Sequence, residues 1–183
     1  MMLVSVLGLS GSAQTIRIYN LAHLNPADLY SAARNTVEIF GRAGVHIDWT
    51  QGDPEDLEAH SLDLIVCSLA PVHDEIRLRI IEKAPPGFQR TALGFALPCA
   101  RFGAHATIFA DRVMAVSEHL GVPFSTALGH GMAHELGHVL LRTEGHTSTG
   151  IMRAKWDGRD WQNAATFGLV FDEKQSASLR GGQ

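Results

Sequence analysis

Two histidines four residues apart, His134 and His138, flank Glu135 in the run HELGHVLLRTEGHTSTGIM, which covers residues 134–152. No other stretch limits the fold so strongly. On a helix, at about 100° per residue, the two imidazoles leave one face a turn apart and can grip one ion. That is zinc-ligand spacing. Glu135 lies about 100° round from His134 and about 60° from His138, so its carboxylate stands beside the ion, within reach of a bound water, as a general base must.

A structural zinc closes its shell with four protein ligands, whereas a catalytic zinc takes three and leaves one position to water. The third ligand therefore matters most. His146 is the first choice, because the helix must stop before it and Gly145 supplies permissive backbone on which the chain can reverse. Glu144 is the near rival, and Asp157 and Glu173 lie further off. His130, another turn back on the same face, is read as a supporting or capping histidine. One zinc ion is expected.

These residues resemble the metzincin clan of zinc endopeptidases, whose motif is H-E-x-x-H-x-x-G-x-x-H followed by a methionine turn. His134, Glu135 and His138 match it residue by residue, and Gly150, Ile151 and Met152 look like the turn beneath the metal. Leu141 stands where the clan has its helix-ending glycine, and His146 falls two residues later than the third histidine. The pattern resembles a lengthened variant with Gly145 doing the turning. The chain also looks like small bacterial predicted proteases with a HELGH-type helix followed by GIMR.

The resemblance implies an α+β, zincin/metzincin-like fold: a mixed, mostly parallel twisted sheet with an antiparallel edge strand, an active-site helix and a C-terminal helix. Residues 91–97 (TALGFAL) and 105–110 (HATIFA) look like the edge strand and the last strand before that helix. Gly94, Phe95 and Ala96 are then the substrate-binding residues. An edge offers unpaired N–H and C=O groups to an extended polypeptide, and Gly94 lets it come close. The competing reading is an ordinary hairpin arm. No tyrosine follows Met152 to support a transition state, and Arg153 is the substitute considered.

Elsewhere the chain reads as scaffold. Residues 15–19 alternate as a half-buried strand. Asn25 caps a helix with Pro26 at its first position, ended by Gly41 and Gly44, and Val45, Ile47 and Trp49 alternate again. This order implies a parallel pair with a crossover helix. Residues 53–70 fit either a helix or a buried strand. Ile76, Leu78 and Ile80 alternate with Arg77 and Arg79, giving a third strand whose arginines form a solvated face, closed by Pro85, Pro86 and Gly87. Residues 111–120 read as a helix ending at Gly121, and Ser125 as the cap of the metal helix. Gly129, Gly131 and Gly137 suggest close packing of that helix under the sheet. Trp156 and Trp161 belong to the core or the cleft rim, and Asp172 begins a final helix.

With 183 residues, 45% of them hydrophobic, the chain suits a single catalytic domain over residues 14–183. A net charge of −4 supplies no basic footprint for nucleic acid. No apolar run is long enough to span a membrane. Residues 1–13 read either as a signal-peptide remnant or as an apolar N-terminus lacking a positive n-region. The first reading puts the protein in a secreted or periplasmic location. Cys67 and Cys99 are either a loop-closing disulfide or two buried thiols.

The function expected is zinc-dependent endopeptidase, with Glu135 as general base and a polypeptide as substrate. The alternatives are a zinc-binding, non-peptidase module that binds polypeptide, and a zinc amidase acting on cell-wall amides.

Overall fold

A computed structural model describes residues 13–53, 75–100 and 105–181. The N-terminal apolar run, the undecided stretch from residue 54 and Cys67 lie outside the described residues. The elements follow the order β1 (Gln14–Asn20), α1 (Pro26–Arg42), β2 (Ile47–Gln51), β3 (Glu75–Ile81), β4 (Gly94–Ala96), β5 (Ala106–Phe109), α2 (Ala110–Leu120), α3 (Phe124–Leu140), α4 (Gly158–Ala165) and α5 (Glu173–Gly181).

The five strands form one sheet in the order β2-β1-β3-β5-β4. β1 pairs in parallel with β2 and β3, β3 pairs in parallel with β5, and β4 alone runs antiparallel, at the edge. The expected α+β architecture is the one observed. Alternation in β1 and β3 sends Ile16, Ile18, Ile76, Leu78 and Ile80 to one face, where they join Ile39 and Phe40 of α1 and Leu128, Met132 and Leu136 of α3 in the core.

Local sequence sets the helix ends. Asn25 accepts the Ala27 N–H at 2.8 Å, Pro26 needs no donor at the first position, and Gly44 takes φ 79° after the last turn of α1. Gly121 closes α2 in the left-handed region. Ser125 is not the cap of α3: the chain enters that helix through Pro123, whose carbonyl accepts from Thr126 and Ala127, with no side-chain cap. A proline already fixed near helical φ makes a capping hydroxyl dispensable.

Two glycines let α3 approach its neighbours, though not against the sheet. A Cβ at Gly129 would lie 2.8 Å from the Ala32 carbonyl oxygen of α1, and the Thr36 hydroxyl donates to the Gly129 carbonyl at 3.0 Å. At Gly137 the close neighbours are Met152 and Phe171. Helix α3 thus lies wedged between α1 and the segment that follows it.

The arginine face of β3 is not simply solvated. Arg79 is partly buried, and its Nε donates to Thr107 Oγ1 at 2.7 Å. Among the described residues, no helix is long and apolar enough to cross a membrane.

Candidate metal centre

Helix α3 carries His134 and His138 on one face, as the four-residue spacing requires, with their Nε2 atoms 3.2 Å apart. Each ring is fixed from behind. The Nδ1–H of His134 donates to the Ile151 carbonyl at 2.7 Å, and that of His138 to the Thr143 carbonyl at 2.8 Å. A carbonyl can only accept, so both protons sit on Nδ1 and both Nε2 atoms are left with lone pairs.

Both carbonyls come from the turns that follow the helix. Thr143 N–H returns to the His138 carbonyl and Arg142 N–H to that of Val139, with Arg142 at φ 52°. This is a Schellman closure with an arginine in the left-handed position usually filled by glycine. The expectation that Gly145 turns the chain is therefore corrected: Arg142 turns it, and Gly145 has no left-handed φ. The second turn centres on Gly150, at φ 70°, beside the Val170 carbonyl. It presents Ile151 to both His134 and the Trp156 indole, which donates to the same carbonyl at 3.0 Å.

His146 completes the cluster from the open side. Its ring stacks on His134 at 5.4 Å between centroids and meets His138 edge-on at 4.8 Å. Among the described residues the group able to hold a metal is His134, His138 and His146, whose ligand atoms lie within 4.8 Å of one another. Glu144 borders the same cleft but is not in that group. Asp157 instead caps α4 and accepts from Arg153, while Glu173 begins α5.

Electrostatics favour neutral rings. Burial, followed by the proximity of His138 and His146, pushes the His134 pKa down to about 4, against the pull of its carbonyl bond. Burial also lowers His138 and His146. Two neutral Nε2 lone pairs facing each other at 3.2 Å repel unless a cation lies between them. Zinc held tetrahedrally at 2.0–2.1 Å from each nitrogen would separate them by about 3.3 Å. Three imidazoles with an open fourth direction also fit a zinc ion, so the residues present suit the metal.

Glu135 is buried next to this cluster, and burial pushes its pKa up to about 8. A neighbouring cation favours its charged form. The edge strand lies against it. A Cβ at Gly94 would fall 2.2 Å from the Thr107 carbonyl oxygen and 3.1 Å from Glu135 Cγ, so glycine is needed for the ladder and for the glutamate. Leu93 O accepts from Phe109 N–H of β5, and Leu97 N–H donates to the carbonyl of His105, just before that strand. By the alternation of an antiparallel ladder, the backbone groups of Gly94 and Ala96 point the other way, to the open edge. Phe95 faces Thr107 and stacks on Phe88 at 5.0 Å.

Histidines, glutamate and edge strand all border a single cleft of about 1320 Å³, with α2 on one side and Arg153, Lys155 and Trp156 on another. Met152 is buried, with its sulfur against Gly137 of α3. His130 does not join the three histidines. It is fully buried, and its Nδ1 bonds the Thr126 carbonyl at 2.9 Å. Arg153 is tied up by Asp160 and Asp157, which removes it as free support for a developing negative charge.

The residues that sequence reasoning missed act from behind the histidines. They are the Ile151 and Thr143 carbonyls, which no residue-type signal marks, and the Trp156 N–H. An aromatic four residues past the Met152 turn was the only hint of the last.

No family model matches the chain, and no curated protein matches it. Solved structures do. The archaemetzincin of Methanopyrus kandleri is similar over 96% of this chain and 98% of its own, at 15% identity and a TM-score of 0.60. The archaemetzincin of Archaeoglobus fulgidus, solved in complex with malonate, is similar over 90% of this chain and 99% of its own, at 19% identity and a TM-score of 0.53. The fold is therefore similar to that of these archaemetzincin structures, in keeping with the metzincin-like architecture expected from the sequence.

Proposed function

We propose that the chain is a zinc-dependent endopeptidase with His134, His138 and His146 as ligands of one zinc ion and Glu135 as general base. The observation that carries this reading is the pair of Nε2 lone pairs facing each other at 3.2 Å, fixed by two backbone carbonyls, beside a buried glutamate under an open edge strand. When bound, zinc supplies Lewis acidity, polarising a carbonyl and making water a stronger acid.

The chain's own residues do the rest. Gly94 and Ala96 offer outward backbone groups that align an extended polypeptide by strand addition, which asks little of its side chains. Glu135 takes a proton from the attacking water on a carboxylate oxygen and returns it to the leaving amine. Its burial keeps its proton affinity high enough for both steps. Met152, packed on Gly137, would serve as the methionine turn that supports the helix under His134 and His138. A secreted or periplasmic location goes with this reading.

The test is Glu135→Gln. Turnover of a peptide library should fall by about a hundredfold or more, since general-base catalysis contributes on that scale, while zinc content stays at the unaltered level. Full activity in that variant would rule out Glu135 as the base. Peptide binding without cleavage by the unaltered, zinc-loaded chain would favour a binding module, and cleavage of cell-wall amides alone would favour an amidase.

A further inference from the structure

Resting on the zinc reading above, we infer that Gln175 of α5 is a positioning residue for the third ligand, because it holds the loop that carries His146. His134 and His138 stand on α3 and are fixed by the Ile151 and Thr143 carbonyls behind their rings. His146 is exposed and lies outside any helix or strand, and among the described residues no hydrogen bond holds its ring. Its place rests on ring contacts with the other two histidines and on the backbone of its own loop.

That backbone is tied down one residue further on. The Thr147 N–H donates to the Met152 carbonyl at 2.9 Å, and the Thr147 hydroxyl donates to the Thr149 carbonyl at 2.8 Å. These bonds close the loop on itself. Two others anchor it to the start of α5 and the residues before it. The Val170 carbonyl accepts the Ile151 N–H at 3.0 Å, beneath the turn that serves His134, and Gln175 Nε2 donates to Thr147 Oγ1 at 3.0 Å, next to His146.

The hydrogen-bond inventory explains why an amide stands at this position. Gln175 is only 7% exposed, so its polar atoms need partners. Its N–H donates to Asp172 Oδ1 at 2.8 Å, and its Oε1 accepts the Asp172 N–H at 3.0 Å, a reciprocal cap of α5. A backbone N–H can only donate, so the cap fixes which end of the amide carries the nitrogen. Nε2 is left facing Thr147 Oγ1, whose proton is committed to the Thr149 carbonyl and which therefore offers a lone pair. A glutamate could make the same cap but would have no proton for Thr147. The amide joins the cap of α5 to the loop of the third histidine.

The test measures the zinc affinity of the full chain by competition with a chelating dye, alongside the thermal midpoint of the zinc-free chain. Thr147→Val and Gln175→Met have one lost bond in common, the one between these two side chains. Each should weaken zinc binding by about tenfold, the lower end of what partners behind a metal ligand contribute. The double variant should lose less than the product of the two, since the same bond is removed twice. Thr147→Ser keeps the hydroxyl and should bind zinc as the unaltered chain does. In a His146→Ala background neither change should weaken zinc binding further. Unchanged affinity in both variants, losses that multiply fully, or equal losses in the His146→Ala background would overturn the role. So would a lowered midpoint with full affinity, which would leave Gln175 as a helix cap alone. Thr147 is exposed, so its substitution spares the fold and the outcome does not depend on the stability of Gln175→Met. If His146→Ala itself binds zinc normally, the ligand assignment falls and this role with it; if it binds weakly while the other two variants bind fully, this role alone falls.

Discussion

Three glycines in one helix should respond to alanine with different signs. Gly129, Gly131 and Gly137 all lie within α3, and each alanine gains up to about 1 kcal/mol of helix propensity. What differs is the space. At Gly131 the nearest atom to an added Cβ is Leu93 Cδ1 at 3.8 Å, an ordinary contact, so Gly131→Ala should stabilise by about 0.5–1 kcal/mol. At Gly129 the Cβ would sit 2.7 Å from Asn35 Cβ and 2.8 Å from the Ala32 carbonyl oxygen. Those atoms belong to α1 near its backbone and cannot rotate away, so the helices must separate. Overpacking of about 1–3 kcal/mol then outweighs propensity, and Gly129→Ala should destabilise by about 1–2 kcal/mol. Gly137→Ala meets Met152 Sδ at 2.6 Å and the Phe171 ring at 2.8 Å. The methionine can yield but the ring cannot, so a loss of about 1 kcal/mol is expected, together with weaker zinc binding as the Met152 turn shifts. Thermal unfolding of the metal-free chain reads these as midpoint shifts of about 2–4 °C per kcal/mol. Equal midpoints for the Gly129 and Gly131 variants, or a lowered midpoint for Gly131→Ala, would refute the packing argument.

Other outcomes follow from the same geometry. Replacing His138 by alanine should weaken zinc binding by about a hundredfold or more, measured by competition with a chelating dye, and unchanged affinity would remove it from the ligand set. In the metal-free Glu135→Gln chain, where the raised carboxyl pKa no longer contributes with the opposite sign, lowering pH should be destabilising. His134 is depressed to about 4 from an ordinary 6.5, so the stability it contributes is complete above 6.5 and is lost as pH falls toward 4, by about 2 kcal/mol at pH 5. His130, also lowered by burial, adds in the same direction. Urea unfolding at pH 7 and pH 5 checks this, and a flat profile would contradict it. The Arg17 hydrogen bond holds the Glu75 carboxyl below its usual range, so Glu75→Gln should cost under about 1 kcal/mol at neutral pH, a difference that vanishes as acid protonates Glu75 in the unaltered chain. A difference that persists in acid would show that the pair is not its source.

Much of this was legible in the sequence because it rests on period and spacing. The alternation at Ile76, Leu78 and Ile80 placed β3, Asn25 with Pro26 placed the start of α1, and the interval from His134 to His138 put two rings on one face. The helix ends around α3 were less legible, because backbone geometry decided them. Pro123 made a hydroxyl cap unnecessary, and Arg142 took a left-handed conformation that its residue type disfavours while Gly145 did not. The support behind the rings was hidden for the same reason: the acceptors are the carbonyls of Ile151 and Thr143, and any residue carries a carbonyl. Arg79 was misjudged as solvated because alternation assigns a face to a side chain but not what covers that face.

X-ray absorption at the zinc edge of the full, zinc-loaded chain tests the central claim most directly. It should show three imidazole nitrogens at about 2.0–2.1 Å and one exchangeable oxygen, the open shell of a catalytic ion. A carboxylate in place of the third imidazole would displace His146 from the site, and a fourth protein ligand would close the shell and contradict the hydrolase reading.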